Sequence, residues 1–449
     1  MNPNLYRQRG AVAIMVAVSM FVLLAVVGLC VDAGLAYLVK ARLNAAVDSA
    51  ALAGARAVTT GNNQTEQIAS ARGAAADFFA ANIPNNYLLS SPRIISTNVT
   101  FNGGQATIDV KAEAPMPVSI MQIMNFTTLN PVAAAQTIRN DLDMALVVDT
   151  SGSLSGSAAT VRTSAKNFLN KFNVTQDRVA LIHFASGVET DKAINTSTRG
   201  FDRTSMNSKI NSYVFKGGTS SFEGMWKARE QLNSVPLSSR STMRVIVFFS
   251  DGAPTSFGSY LTFNTPTDCT RAGSVDRILK DGGLGNLESS DLDFVSEGCK
   301  TWRMVNNQPQ PAVRRLPDWY NARPESVREF PIVTTAPRVV TADISTPQLF
   351  EGNVLRASRN LAESIAAKTR SEGVYVFTLG FGPGLKEAFT SDTSTNGEMI
   401  LKCMANTVDS LKRCQKPDQP VGMYCYAATD ADLTPCFSRL ASAILRITK

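Results

Sequence analysis

The residues best equipped for chemistry in this chain are oxygen donors. In Asp143 to Gly156, DMALVVDTSGSLSG, an apolar run stops at Asp149, and Ser151 and Ser153 follow at alternate positions before a helical stretch from about Ser157 to Phe172. The run reads as a buried strand that ends in a polar turn. A strand ending in a carboxylate and two hydroxyls, just ahead of a helix, places those oxygens at the carboxyl edge of a parallel sheet, where open α/β folds keep their sites. Two further places extend the set. GGTSS at Gly217 to Ser221 offers Thr219 in a loop before a helix, and VIVFFSDGAPT ends a second apolar strand at Asp251. Oxygen-only donors of low total charge suit a hard divalent cation such as Mg2+, with Mn2+ and Ca2+ as alternatives. Alone, D-x-S-x-S is also what helix caps and turns use. The metal reading comes from the three loops together.

Composition narrows the chemistry further. The 449 residues carry a formal net charge of +7, with Lys and Arg scattered. No basic stripe with interleaved aromatics occurs, so nucleic acid is not an expected partner. A hydrolase triad or a zinc site usually needs histidine, and the one histidine, His183, sits inside the apolar pattern VALIHFAS, where a packed core role is expected. A serine hydrolase acting through Ser151 is the enzymatic alternative. Against it stand the missing G-x-S-x-G elbow and the histidine buried in a strand pattern.

At the N-terminus, Arg7 and Arg9 precede Ala11 to Val31, 21 residues without a charge. At about 1.5 Å per residue this run matches a hydrocarbon layer of roughly 30 Å. The arginines before it and Asp32 after it favour a cytoplasmic N-terminus with the bulk of the chain outside. A cleaved signal peptide is the competing reading, disfavoured by the length of the run and the lack of an A-x-A site. Beyond the span, Asp32 to Val58 stays rich in helix formers, predicting one helix to about residue 58. A second Ala-rich helix is expected over Glu66 to Asn82, with Phe78 and Phe79 as core anchors. RIISTNVTF and QATIDVKAEA flank Asn102-Gly103-Gly104, a hairpin signal, and PVAAAQTIRN reads as a further strand or a linker. Residues 1–10 are thus a cytoplasmic tail, 11–31 the span and 32–140 a small α+β stalk.

From residue 141 strands alternate with helices: DRVALIHFAS (177–186), helices near 205–213 and 222–235, a strand at 243–250, a helix at about 347–373, a strand at 374–382 and a C-terminal amphipathic helix. This alternation predicts an α/β fold, a doubly wound parallel sheet covered on both faces. Some 90 residues, about 256–346, exceed what such a domain needs, and they leave the strand that ends at Asp251, beside the oxygen donors. They are expected to shape or cover the binding surface. Their Asp268, Asp276, Asp281, Asp291 and Asp293 read as a solvated acidic loop, since no EF-hand spacing is present. Six cysteines lie outside the span: Cys269, Cys299, Cys403, Cys414, Cys425 and Cys436. An even count without C-x-x-C fits disulfides in an oxidising compartment. Proximity pairs Cys269 with Cys299, and the last four pair among themselves in an order the sequence leaves open.

Two family resemblances rest on these residues. The set Asp149, Ser151, Ser153, Thr219 and Asp251 resembles the metal-ion-dependent adhesion site of a von Willebrand factor type A domain, over roughly residues 141–449 apart from the insertion. The resemblance implies a Rossmann-like fold in which the two serines and the threonine touch Mg2+, the second aspartate often acts through water, and one coordination position is left for an acidic group on a partner. The N-terminal segment is similar to tight adherence (Tad/Flp) pilus-assembly proteins of the TadE/TadG type. Its marks are Arg9-Gly10-Ala11, Val31-Asp32-Ala33-Gly34 and the run Ala45-Ala46-Val47-Asp48-Ser49-Ala50-Ala51-Leu52-Ala53-Gly54-Ala55. Prepilin-type processing would cut after Gly10, but Met15 stands where such substrates carry a glutamate. Joined, the two imply a TadG-like, non-enzymatic protein of the bacterial inner membrane. It would face the periplasm or the cell surface and bind pilus or envelope components. The structural alternative is a metal that only stabilises the loops.

Overall fold

The computed structural model describes residues 9–58, 64–102, 105–237, 239–264, 269, 271–277, 284–289, 299–305, 308–326, 328–388 and 395–447. Two compact units divide the chain between Asn140 and Asp141.

The first unit is built on one 49-residue helix, α1 (Arg9–Ala57), followed by α2 (Gln64–Asn82). The apolar side chains of α1 are exposed from Val12 to Val31, and the helix is long and apolar enough to cross a membrane. Beyond this run Val39, Leu43, Val47 and Ala51 turn inward at helical spacing and bury against α2 and a sheet. Phe79 is buried but Phe78 is 50% exposed, so only one of the expected pair anchors α2. Adjacent helical residues diverge by about 100°, and here Phe78 falls on the outer side of that turn. Strands β1 (Arg93–Asn102) and β2 (Gln105–Glu113) pair antiparallel down to Asn102 and Gln105, either side of the expected turn. A short pair, β3 (Met116–Pro117) and β4 (Thr128–Leu129), comes next. The run read as a strand or linker is a strand, β5 (Val132–Asn140), paired with β2.

The second unit contains a six-stranded sheet. Its strands are β6 (Leu142–Asp149), β7 (Arg178–Phe184), β8 (Val188–Lys192), β9 (Met243–Ser250), and, after the inserted strands below, β14 (Tyr375–Phe381) and β15 (Tyr424–Ala427), in the spatial order β15-β14-β9-β6-β7-β8. All neighbours are parallel except β7 and β8. Every residue of β6, β7 and β9 is buried, as expected of strands covered on both faces. Alternation along β6 divides its side chains between two cores. Ala145 and Val147 face α5 (Ser221–Ser234) and α6 (Pro347–Ser371), while Met144, Leu146 and Val148 face α3 (Ala158–Leu169), α4 (Arg203–Asn211) and α8 (Asp430–Ile447). A further helix, α7 (Gly397–Ala405), joins the first core through Ile400, Leu401 and Met404.

The insertion is an extension of the first core. Two strand pairs, β10 (Ser256–Ser259) with β11 (Gly273–Asp276) and β12 (Trp302–Val305) with β13 (Gln308–Pro311), are antiparallel. Phe257, Trp302, Tyr320, Phe330 and Ile332 pack into the core that holds Phe222 and Trp226 of α5. One fully buried carboxylate ties the two together: Glu223 of α5 accepts from Tyr320 Oη at 2.7 Å, Gly258 N at 3.1 Å and Arg323 Nε at 3.1 Å. Disulfides join Cys269 to Cys299, Cys403 to Cys414 and Cys425 to Cys436, the last linking edge strand β15 to α8. Cys30 is free and exposed on α1.

Removing Glu223 leaves the buried Tyr320 hydroxyl without its acceptor and the Arg323 guanidinium with only the more exposed Glu288 as a carboxylate partner. Glu223→Ala is expected to cost about 3–5 kcal/mol of stability, measured by urea unfolding of the second unit's fluorescence transition. A loss below about 1 kcal/mol would show that the insertion does not depend on this contact.

Candidate functional site

The five oxygen donors meet where the sheet order reverses. Strand β6 continues to β7 on one side, while β9 lies on its other side, so the carboxyl ends of β6 and β9 flank a topological switch point. Asp149 is the last residue of β6, and Asp251 follows the last residue of β9. Asp149 is fully buried, its Oδ1 accepting from Ser151 N at 2.8 Å and its Oδ2 from Ser250 Oγ at 2.5 Å. One carboxylate therefore fixes the first turn and the end of the neighbouring strand at once. Ser151 Oγ lies 3.2 Å from Ser153 Oγ, and Ser153 Oγ donates to Asp251 Oδ1 at 2.9 Å. A continuous chain of oxygens thus runs from the first loop to the third.

The second loop closes on this chain through its backbone. Gly217 O accepts from Gly152 N at 3.1 Å, and Gly217 adopts φ +88°, with a would-be Cβ only 2.7 Å from Ser186 Oγ. Glycine is required there on both counts. Thr219 N donates to Thr255 Oγ1 at 2.9 Å while Thr219 O accepts from Thr255 N at 3.0 Å, locking the threonine beside the third loop. Its hydroxyl would lie 3.8 Å from a Cβ placed on Gly252.

Ser151, Ser153, Thr219 and Asp251 line one cleft of about 480 Å³, and Asp149 lies beneath it. Three charged residues that sequence reasoning did not assign to the site share the cleft: Asp276, Arg277 and Glu387. Of the five aspartates expected to form a solvated acidic loop, Asp276 lines the cleft, and Asp268, Asp281, Asp291 and Asp293 lie outside the described residues. Its Oδ2 approaches Gly218 so closely that a Cβ there would sit 1.9 Å away. The pairing of β11 with β10 brings Asp276 in, a non-local register invisible in sequence. Glu387 follows a single turn after β14. Ser250, the second partner of Asp149, was likewise missed, although its place directly before Asp251 was the available signal.

Burial is the main cause that pushes the Asp149 carboxyl up to about 7, and the neighbouring Asp251 charge adds to it. Burial also pushes Asp251 up to about 6, against the lowering hydrogen bond from Ser153. Two carboxylates whose charge is disfavoured, surrounded by hydroxyl oxygens, form a donor set that a hard cation would satisfy. His183 stands apart from the cleft's lining. It is 6% exposed, its Nδ1 lies 2.8 Å from Asp191 Oδ2, and its ring stacks on Tyr213 at 4.4 Å. It is buried as expected, but in a polar cluster at the β7–β8 edge.

Comparison with protein families finds a von Willebrand factor type A domain at residues 143–278 and a Flp pilus-assembly TadE/G-like segment at residues 10–57. The chain carries both. No curated protein matches. Among solved structures, the pilus adhesin SpaC from Lactobacillus rhamnosus GG matches at 14% identity and a TM-score of 0.38, over 80% of this chain and 35% of that one. The chain therefore spans about a third of the length of SpaC. The vWF domain of the type V pili tip protein Mfa5 from Porphyromonas gingivalis matches at 15% identity and a TM-score of 0.36, over 70% and 98% of the two chains. Proximal thread matrix protein 1 from the mussel byssus, with a zinc-occupied MIDAS motif, matches at 12% identity and a TM-score of 0.32, over 68% and 46%.

The raised carboxyls carry a sign. A folded pKa above the unfolded value of 3.8 stabilises the fold at low pH and is lost as pH rises through about 6 and about 7. In chelator, the melting temperature is expected to rise as pH falls from about 8 to about 5.5, with a smaller slope in Asp149→Asn. Equal slopes in the two proteins would show that Asp149 is not a source of the strain.

Proposed function

We propose that the chain is a membrane-anchored pilus-assembly or adhesion protein that binds a partner through a divalent cation, Mg2+ in the first instance, held by Asp149, Ser151, Ser153, Thr219 and Asp251. The observation that carries this reading is the chain of oxygens from Ser151 through Ser153 to Asp251 over the buried Asp149. The type A domain and the TadE/G-like segment support it. Bound there, the cation supplies an open coordination position for a carboxylate of the partner. The chain's own residues make that cation necessary. Asp251, Asp276 and Glu387 face the cleft, and the one cation among its described residues, Arg277, lies 3.1 Å from Glu351, so an acidic partner meets net repulsion from these side chains. In this reading the helix from Arg9 is the anchor, residues 1–10 are cytoplasmic, 32–140 form a stalk, and residues 141–449 face the periplasm of an envelope that permits the three disulfides. The chemistry is association; no residue of the cleft is assigned a bond-breaking role.

Titration calorimetry of the full-length protein in detergent with Mg2+ tests the site. Saturable binding is expected at about pH 7.5, weakening as pH falls through about 6 because protons compete for Asp149 and Asp251, and abolished in Asp149→Ala. A native protein that binds no Mg2+, or a variant that binds it as well, would overturn the reading.

A further inference from the structure

We infer that the loop between β3 and β4 is a second membrane contact, inserted at the lipid interface and held there by Asp32 of α1. The inference rests on the reading of α1 as a membrane anchor.

Asp32 follows the apolar run directly, yet it is 1% exposed. Its carboxylate accepts three consecutive backbone N–H groups, Ser119 at 3.0 Å and Ile120 at 3.0 Å, then Met121 at 2.8 Å. One turn earlier, Gly28 is buried, and a Cβ there would lie 2.2 Å from Ile120 Cγ2, so the loop rests on the bare helix backbone. Two independent contacts therefore fix the loop against a known stretch of α1.

That stretch sets the depth. Val31 ends the apolar run, and Gly28 lies three residues before it, about 4–5 Å along the axis towards the membrane centre. Ile120 is thus held at the edge of the hydrocarbon layer. Around Gly28 the helix surface stays apolar, with Leu29 48% and Val31 44% exposed. The loop's composition suits this level. Five of the seven residues Ile120 to Phe126 are apolar, no charged residue occurs from Ala114 to Ile138, and Phe126 is 50% exposed. An exposed aromatic in an uncharged segment, tethered at interface depth, matches the physics of interfacial anchoring. Asp32 is suited to the tether because three amide donors compensate its charge where water is scarce. With two attachments, the first unit is held in a defined tilt at the surface.

The test uses full-length protein in phosphatidylcholine vesicles whose acyl chains carry bromine either near the headgroup or near the chain end. Phe126→Trp and the mid-span Phe21→Trp are each compared with the native protein, whose three tryptophans supply the background. The fluorescence added at position 126 is expected to be blue-shifted and mostly lost to the shallow bromines, and that at position 21 to the deep ones. Adding Asp32→Ala to Phe126→Trp is expected to restore the lost fluorescence. An unquenched position 21 would overturn the anchor reading itself. Quenching at 21 without quenching at 126, whether the added residue is in water or shielded by protein, would overturn the loop contact alone. Unchanged quenching on adding Asp32→Ala would remove Asp32 as the tether.

Discussion

Two carboxylates at the ends of neighbouring central strands, Asp149 and Asp251, set the constraint on which the second unit depends. Parallel pairing of β6 with β9 brings the strand ends side by side, with Asp149 fully buried and Asp251 half-buried at the cleft, so water screens the pair only from one side. Each keeps its place because hydroxyls and amides reach it: Ser151 and Ser250 for Asp149, Ser153 for Asp251. The site is strained electrostatically before any partner arrives. A fold that maximised its own stability would place neutral side chains there, and two carboxyls kept at such a place are what the proposed cation site accounts for.

The remainder of the unit can be understood as support for that edge. Gly217 and Thr219 are held by backbone contacts to the first and third loops, so the second loop cannot move independently of them. The insertion reaches the cleft through Asp276 and Arg277, but most of its buried side chains serve the core around Phe222 and Trp226. Glu223 joins the two functions because it lies in the helix that begins just after Thr219. A change in how the insertion packs would be felt at the Thr219 loop through one helical turn.

Much of this was legible in the sequence, for identifiable reasons. Strands β6, β7 and β9 are covered on both faces, so they read as unbroken apolar runs that stop where the site begins. Edge strand β8, VETDK, has four of its five residues half-buried and polar, and nothing in its pattern separates it from a loop. Strand β15, YCYA, is too short to show a period. The insertion was legible from its length, yet its contribution to the core was hidden, because Phe257, Trp302, Tyr320 and Phe330 are scattered among turn residues and meet only in three dimensions. Pairing among the last four cysteines stayed open for the same reason. Asp32 was visible as a boundary charge, but its partners are backbone amides 87 to 89 residues away, which no side-chain pattern announces.

The central claim is that a cation sits where the three loops meet, and anomalous diffraction from crystals of the protein grown with Mn2+ addresses it most directly. A single strong peak is expected in the cleft, within bonding distance of the Ser151 and Ser153 hydroxyls and bounded by Thr219, Asp149 and Asp251. A structure with Mn2+ bound elsewhere and none at these oxygens would contradict it.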